Sequence, residues 1–212
     1  MDGYFGIEGP EACGKDTVIP LVQEALSDWG FEVVVVREPG GTQLGEQLRT
    51  ILKDPNVRIT PLAMALLMNA ARAQLLNDVV APACRAGKIV LSGRTSLSTR
   101  VYQSHAEGVD IADVKAIERI VLRKLSPQKT FVIIISQEEM MRRLNERGGR
   151  EKDRYDSQGL KFHKAILQAY REELQLDPTH IMRIEGERPP RDVALDIAKN
   201  IARSVPHIQI QY

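Results

Sequence analysis

Only two cysteines, Cys13 and Cys84, occur among 212 residues. That is too few for a disulfide scaffold, and a chain this long buries a core without staples. No apolar run approaches the ~20 residues that a membrane span needs; stretches such as Phe131-Val132-Ile133-Ile134-Ile135 are far short of it. Residues 1–3, Met1-Asp2-Gly3, carry no basic start and lead into no long apolar stretch, so no signal peptide is expected. A surplus of one charge is missing as well. With 29 basic against 28 acidic residues the net charge is +1, which argues against an extended nucleic-acid or membrane footprint. Internal repeats, low-complexity segments and linkers are absent too. What remains is 43% apolar and 27% charged, the composition of an ordinary globular protein. The expectation is one domain over residues 1–212, soluble and cytoplasmic, with neither nucleic acid nor membrane as partner.

Short apolar runs alternate with helical patterns along the whole length. Residues 4–8, 32–37, 89–92, 130–136 and 180–185 read as five strands. The β-branched runs Val33-Val34-Val35-Val36 and Phe131 to Ile135 suggest strands buried on both faces, as in a parallel sheet. Helical patterns cover 15–29, stopped by Gly30, and 60–85, with Thr60 as N-cap, Pro61 in the first turn and Gly87 beyond the end. Further helices are expected over 111–125, 157–174 and 191–202. The alternation predicts an α/β fold, a five-stranded parallel sheet covered by helices. The tail from Val205 to Tyr212 has no assigned place.

The strongest motif is Gly9-Pro10-Glu11-Ala12-Cys13-Gly14-Lys15, directly after the first strand and opening the first helix. It fits G-x-x-x-x-G-K, in which loop amides wrap the β-phosphate, the lysine reaches the β/γ oxygens and the helix N-terminus adds partial positive charge. Position 16 is Asp16, where the pattern has a Ser or Thr hydroxyl for magnesium; Thr17 follows. The second motif, Arg37-Glu38-Pro39-Gly40-Gly41-Thr42, ends the second strand. There it is either a plain turn or a site where Arg37 faces the first loop's phosphate. The third is Asn69-Ala70-Ala71-Arg72 in the long helix, where an arginine among apolar neighbours reads either as a snorkelling surface residue or as a ligand contact. The fourth runs from Ser92-Gly93-Arg94 through Ser98-Thr99 to Tyr102-Gln103 after the third strand.

In this order and at these spacings, over about residues 4–202, the four blocks resemble the thymidylate kinases, which move the γ-phosphoryl of ATP onto dTMP. The family pattern has R-E-P-G-G-T after strand two, F-x-A-x-R in the long helix and D-R-x-x-x-S-T-x-A-Y-Q after strand three. The resemblance implies a P-loop nucleoside monophosphate kinase fold, ATP as co-substrate with Mg2+, nucleotides as partners and a homodimer. It implies that residues 9–17 bind ATP, with Lys15 on its phosphates, and that Glu11 contacts the acceptor's sugar 3′-hydroxyl. Arg37 and Arg94 would clamp the acceptor phosphate, and Arg72 would hydrogen-bond the thymine edge. Ser98, Thr99 and Gln103 would line the acceptor pocket, and Tyr102 lies where the family tests for an absent 2′-hydroxyl.

A fifth block, residues 142–156, is basic at six of the thirteen positions from Arg142 to Arg154 and contains Gly148-Gly149. It reads either as a solvated charged loop between two helices or as a mobile lid whose arginine neutralises the transferring phosphoryl. Ala12 stands where one subgroup of the family carries its catalytic arginine, so this chain resembles the subgroup that carries it in the lid. Arg147 and Arg150 are the candidates. The four histidines are scattered without a metal or nucleophile partner.

Four positions depart from the family pattern: Asp16, Gly93 in place of the aspartate of D-R, Met68 in place of the thymine-stacking phenylalanine, and Ser136 in place of an aspartate after strand four. A carboxylate ~4 Å from a phosphate costs on the order of 4 kcal/mol at an effective dielectric near 20, so Asp16 either binds the metal or opposes ATP. The functional expectation is a dTMP kinase. The alternatives are a kinase of broadened base choice, because Met68 is flexible, and a nucleotide-binding pseudoenzyme.

Overall fold

The structure, a computed structural model, describes residues 2–123, 125–146, 155 and 158–205. Five parallel strands, β1 (Tyr4–Glu8), β2 (Val33–Arg37), β3 (Ile89–Gly93), β4 (Lys129–Ile134) and β5 (Ile181–Glu185), lie in the order β2-β3-β1-β4-β5. The α/β class and the number of strands are as the sequence predicts. Side-chain alternation along the central strands feeds two cores. Phe5 and Ile7 of β1, with Phe131 and Ile133 of β4, pack under α1 (Lys15–Asp28) and α9 (Pro190–Ser204). On the opposite face Val132 and Ile134 meet Leu97, Tyr102, Ile166 and Tyr170.

The run Val33–Val36 does not fill a strand buried on both faces. β2 is an edge of the sheet, Val33 and Val34 are half-buried, and Val35 is exposed. The long helical pattern is one continuous helix, α3 (Pro61–Leu75) passing through a π-helical turn, Leu76–Val80, into α4 (Ala81–Arg85). Thr60 caps it as expected, its hydroxyl accepting from Ala63 N. Three helical segments went unassigned in the sequence. α2 (Gln43–Lys53) starts at the Thr42 cap. α5 (Ser96–Thr99) continues as a π-helix over Arg100–Ala106. α7 (Gln137–Glu146) takes in residues 142–146 of the basic block. Ser136 caps α7: its Oγ accepts from Glu139 N at 3.1 Å, which gives the residue a structural use in place of the family's aspartate. α6 (Ile111–Leu122) and α8 (Leu160–Leu176) complete the cover. The remainder of the basic block, Arg147 and Arg150 included, lies outside the described residues except for Tyr155, as does the tail beyond Val205. Among the described residues no helix is long and apolar enough to cross a membrane.

Candidate active site

Parallel register sets Arg37 beside Gly93 and Gly93 beside Ile7, so the first three strands end in one row. The loops that leave this row open onto a cleft of about 780 Å³. Ligands of open α/β sheets bind at such carboxyl ends, where the strand order reverses.

The first loop forms one wall. Gly9 has φ 150°, and a Cβ there would stand 2.5 Å from the Ile133 carbonyl oxygen and 2.7 Å from Cys13 Sγ, so no side chain is admitted. Gly14, in the left-handed region at φ 93°, begins α1 without a side-chain cap. An anion is favoured at such a helix start by the N–H groups that point out of it and by the helix dipole. Lys15 Nζ lies 3.0 Å from Asp16 Oδ1; the lysine is 12% exposed and the aspartate 78%. Asp16 thus holds the lysine that a phosphate would claim. Cys13 is buried, and burial pushes its thiol above the usual range.

Facing it is the turn after β3. Arg94 adopts φ 83°. Its Nη2 donates to Glu11 Oε1 at 2.7 Å and its Nη1 to Ser98 Oγ at 3.2 Å, while its guanidinium lies 5.0 Å from the centre of the Tyr102 ring. Tyr102 Oη donates to the same Glu11 oxygen at 2.8 Å. Burial alone lowers the pKa of Arg94, but Tyr102, Glu11, Tyr170 and Glu8 around it raise it well above its ordinary value. Arg37 is more open. Its side chain is 61% exposed and pairs with Glu46 at 3.0 Å, and Glu46 also accepts from Gly41 N.

Arg72 is not a snorkelling surface residue. It is 2% exposed and pairs through Nε with Glu38 Oε2 at 2.5 Å. It also donates to Asn69 Oδ1, Thr99 Oγ1 and the Thr95 carbonyl. Arg72 and Thr99 stand behind the cleft wall, and Glu38 and Met68 reach its surface. At that same end lie Gln103, Tyr155 and His163. Gln103 Nε2 donates to Tyr155 Oη at 2.9 Å, whereas Gln103 Oε1 and His163 Nδ1 are buried without a hydrogen-bond partner among the described residues. Buried polar atoms are rarely left so, and a group entering the cleft would satisfy them.

On the loop's other side a smaller hollow of about 350 Å³ is lined by Gly14, Thr17, Arg143, Gly186 and Arg188 among others. Arg143 reaches the Ala12 carbonyl at 3.3 Å and the Gly186 carbonyl at 3.3 Å.

Lys15, Glu11, Arg37, Met68, Arg94, Ser98, Tyr102 and Gln103 therefore share one cleft, together with Pro10, Ala12, Cys13, Gly14, Asp16 and Thr17. Sequence reasoning missed Arg49, which donates to the Pro39 carbonyl at 2.8 Å, as well as Arg143 and His163. A signal existed for Arg143, four residues before Arg147 in the same basic run. None marked His163.

Among the described residues no group of three or more His, Cys, Asp or Glu side chains is placed to hold a metal. The exposed Asp16 carboxylate at the loop fits the smaller demand of magnesium, which commonly takes one or two carboxylates and completes its shell with phosphate oxygens and water.

Comparison with known proteins agrees with this geometry. The family model described as "Thymidylate kinase" matches residues 7–197. The "Thymidylate kinase" of Thermoanaerobacter sp. (strain X514) is 39% identical over 198 residues, covering 93% of this chain and 96% of that protein. That of Bacillus pumilus (strain SAFR-032) is 35% identical over 212 residues, covering 99% and 100%. With the loop, the R-E-P-G-G-T turn and the arginine after β3 gathered on one cleft, this chain belongs to the thymidylate kinase family of ATP-dependent phosphotransferases.

Proposed function

We propose that this chain transfers the γ-phosphoryl of ATP to dTMP, giving dTDP, as a homodimer in the cytoplasm. One observation carries the reading: two cationic, phosphate-holding walls face each other across a single cleft. On one side stand the uncapped α1 N-terminus and Lys15, on the other Arg94 with Arg37. Phosphoryl transfer needs little covalent help from the protein; it needs two phosphates in line and their charge neutralised. Lys15 and the loop amides hold the donor, and the hollow beside Arg143 takes its base. Arg94 and Arg37 hold the acceptor phosphate. Beyond them, Gln103 Oε1 suits the N–H of a thymine ring, with His163 Nδ1 a second polar atom at the same end.

Asp16 would hold magnesium, which when bound offsets phosphate charge; Arg147 or Arg150 would supply the lid arginine, and residues 142–156 would close over the cleft. The exposed Leu62 and Leu66 on α3 and Ile120 on α6, a helix packed against α3, suit a subunit contact. Neither broadened base choice nor a pseudoenzyme is favoured by relatives of this identity and coverage. An ADP-release assay across dTMP, dUMP, dCMP, dGMP and dAMP tests the reading. dTMP should be turned over fastest and Lys15→Ala should be inactive yet folded. A Lys15→Ala variant as fast as the parent, or a better substrate than dTMP, would overturn it.

A further inference from the structure

Glu8, the last residue of β1, is fully buried, and nothing in the proposed transfer uses it. Its Oε1 accepts from Thr95 N at 2.7 Å, Thr95 Oγ1 at 3.0 Å, Ser98 N at 3.1 Å and Ser98 Oγ at 3.0 Å. Its Oε2 accepts from Ser98 Oγ at 2.8 Å and from Tyr170 Oη at 2.8 Å. One carboxylate therefore ties down the turn that begins with the next residue after Arg94. That arginine's φ of 83° is disfavoured for any residue with a side chain, and such a conformation persists only where the surroundings over-determine it. On the N-terminal side, Arg94 N donates to the Ile7 carbonyl at 3.1 Å, and the Arg94 carbonyl accepts from Ser92 Oγ at 2.7 Å. On the C-terminal side, the clamp is Glu8.

We propose that Glu8 is a positioning residue for the acceptor phosphate: it fixes the 95–98 turn and thereby holds Arg94 in its left-handed conformation, guanidinium toward the cleft. Ser98 links the two directly, since the hydroxyl that donates to Glu8 also receives Arg94 Nη1. Glu8 immediately precedes Gly9, so one strand end sets both the donor loop and the acceptor arginine. Tyr170 brings in α8, so that this helix shares the anchor.

The inference rests on Arg94 serving the acceptor phosphate, and its test separates the two. Glu8→Gln keeps the length and the acceptor for Thr95 and Ser98 but loses the charge; Glu8→Asp keeps the charge and loses the reach. Michaelis constants for dTMP and ATP, kcat and Tm are measured for both, with Arg94→Ala alongside. Glu8→Gln, which keeps one accepting oxygen for Thr95 and Ser98, should raise the dTMP constant clearly less than Glu8→Asp does. Glu8→Asp should raise the dTMP constant at least tenfold, toward the ~100-fold that an ångström's misplacement can cost, and leave that of ATP unchanged. A merely structural role would lower Tm without splitting the two constants, or raise both together, and that result overturns the proposal, as does Glu8→Gln behaving like Glu8→Asp. If Arg94→Ala splits the two substrates and Glu8→Asp does not, Glu8 alone is misassigned. If Arg94→Ala affects both equally, the acceptor assignment fails and the proposal with it. Should Glu8→Asp fail to fold, Thr95→Ala, which removes one contact to Glu8, must show the same split in smaller size or the proposal falls.

Discussion

Arg72 and Glu38 form an ion pair shut off from water, Nε to Oε2 at 2.5 Å, across the strand end and the long helix. Burial raises the Glu38 pKa even though Arg72 pulls it back down. An arginine in this setting neutralises a buried carboxylate. Removing it strands a buried carboxylate, which costs about 3–5 kcal/mol. Arg72→Ala should therefore lower stability by that order in a denaturant titration, and adding Glu38→Gln should recover much of the loss. A parental unfolding midpoint for Arg72→Ala would show the pair contributes nothing.

The two arginines proposed to hold the acceptor phosphate differ in setting, so their variants should differ in effect. Arg94 is enclosed by Glu11, Ser98 and Tyr102, whereas Arg37 is mostly exposed. A charge-assisted contact is worth on the order of 1.5–3 kcal/mol, and exposure discounts it. Arg94→Ala should raise the dTMP Michaelis constant by roughly ten- to a hundredfold, with Arg37→Ala trailing behind it and ATP little affected in either. Steady-state kinetics with each substrate varied in turn decides the matter. A larger effect at Arg37 would reverse the ranking.

A test of Asp16 as a metal ligand involves Gly93 and Ile19 as well. A Cβ at Gly93 would stand 3.0 Å from Ile19 Cδ1, so Gly93→Asp alone is crowded. Asp16→Ala should lose activity and need more magnesium. Asp16→Thr with Gly93→Asp and Ile19→Val should restore activity better than the same pair with Ile19 left in place. Unchanged turnover in Asp16→Ala would remove Asp16 as a metal ligand.

Burial raises the pKa of Cys13. Because the folded value lies above the unfolded one, its contribution to stability is fully present below the unfolded pKa near ~8.5 and is lost as pH rises through the folded value. Burial raises the Cys84 thiol too, but Cys84 is only half-buried, so Cys13 should be alkylated by iodoacetamide more slowly than Cys84 at mildly alkaline pH, as peptide mass mapping would show. Equal labelling of the two would contradict the enclosed loop.

Elements whose signal is local were legible from the chain alone. β1 falls where the apolar run ends at Glu8, α1 follows the Gly14-Lys15 step, and Thr60-Pro61 starts the long helix. The turn from Gly9 to Lys15 was legible for the same reason, because its pattern occupies consecutive residues. α7 escaped because its apolar pattern is thin, with Met140 its one buried side chain. α2 buries only Gly45 and Leu52. What the tertiary structure alone decided was neighbourhood. Four valines in a row announce a strand, but whether it is edge or centre depends on which strands flank it, and that made Val35 exposed. Arg72 looks the same in sequence whether it snorkels or is buried; Glu38, 34 residues away, and Thr95, 23 away, settle it. Glu8 reads as the polar end of a strand until Thr95, Ser98 and Tyr170 arrive from 87, 90 and 162 residues along the chain. Periodicity and capping are encoded within a few residues, while charge pairing and burial depend on partners that only folding brings within hydrogen-bond reach.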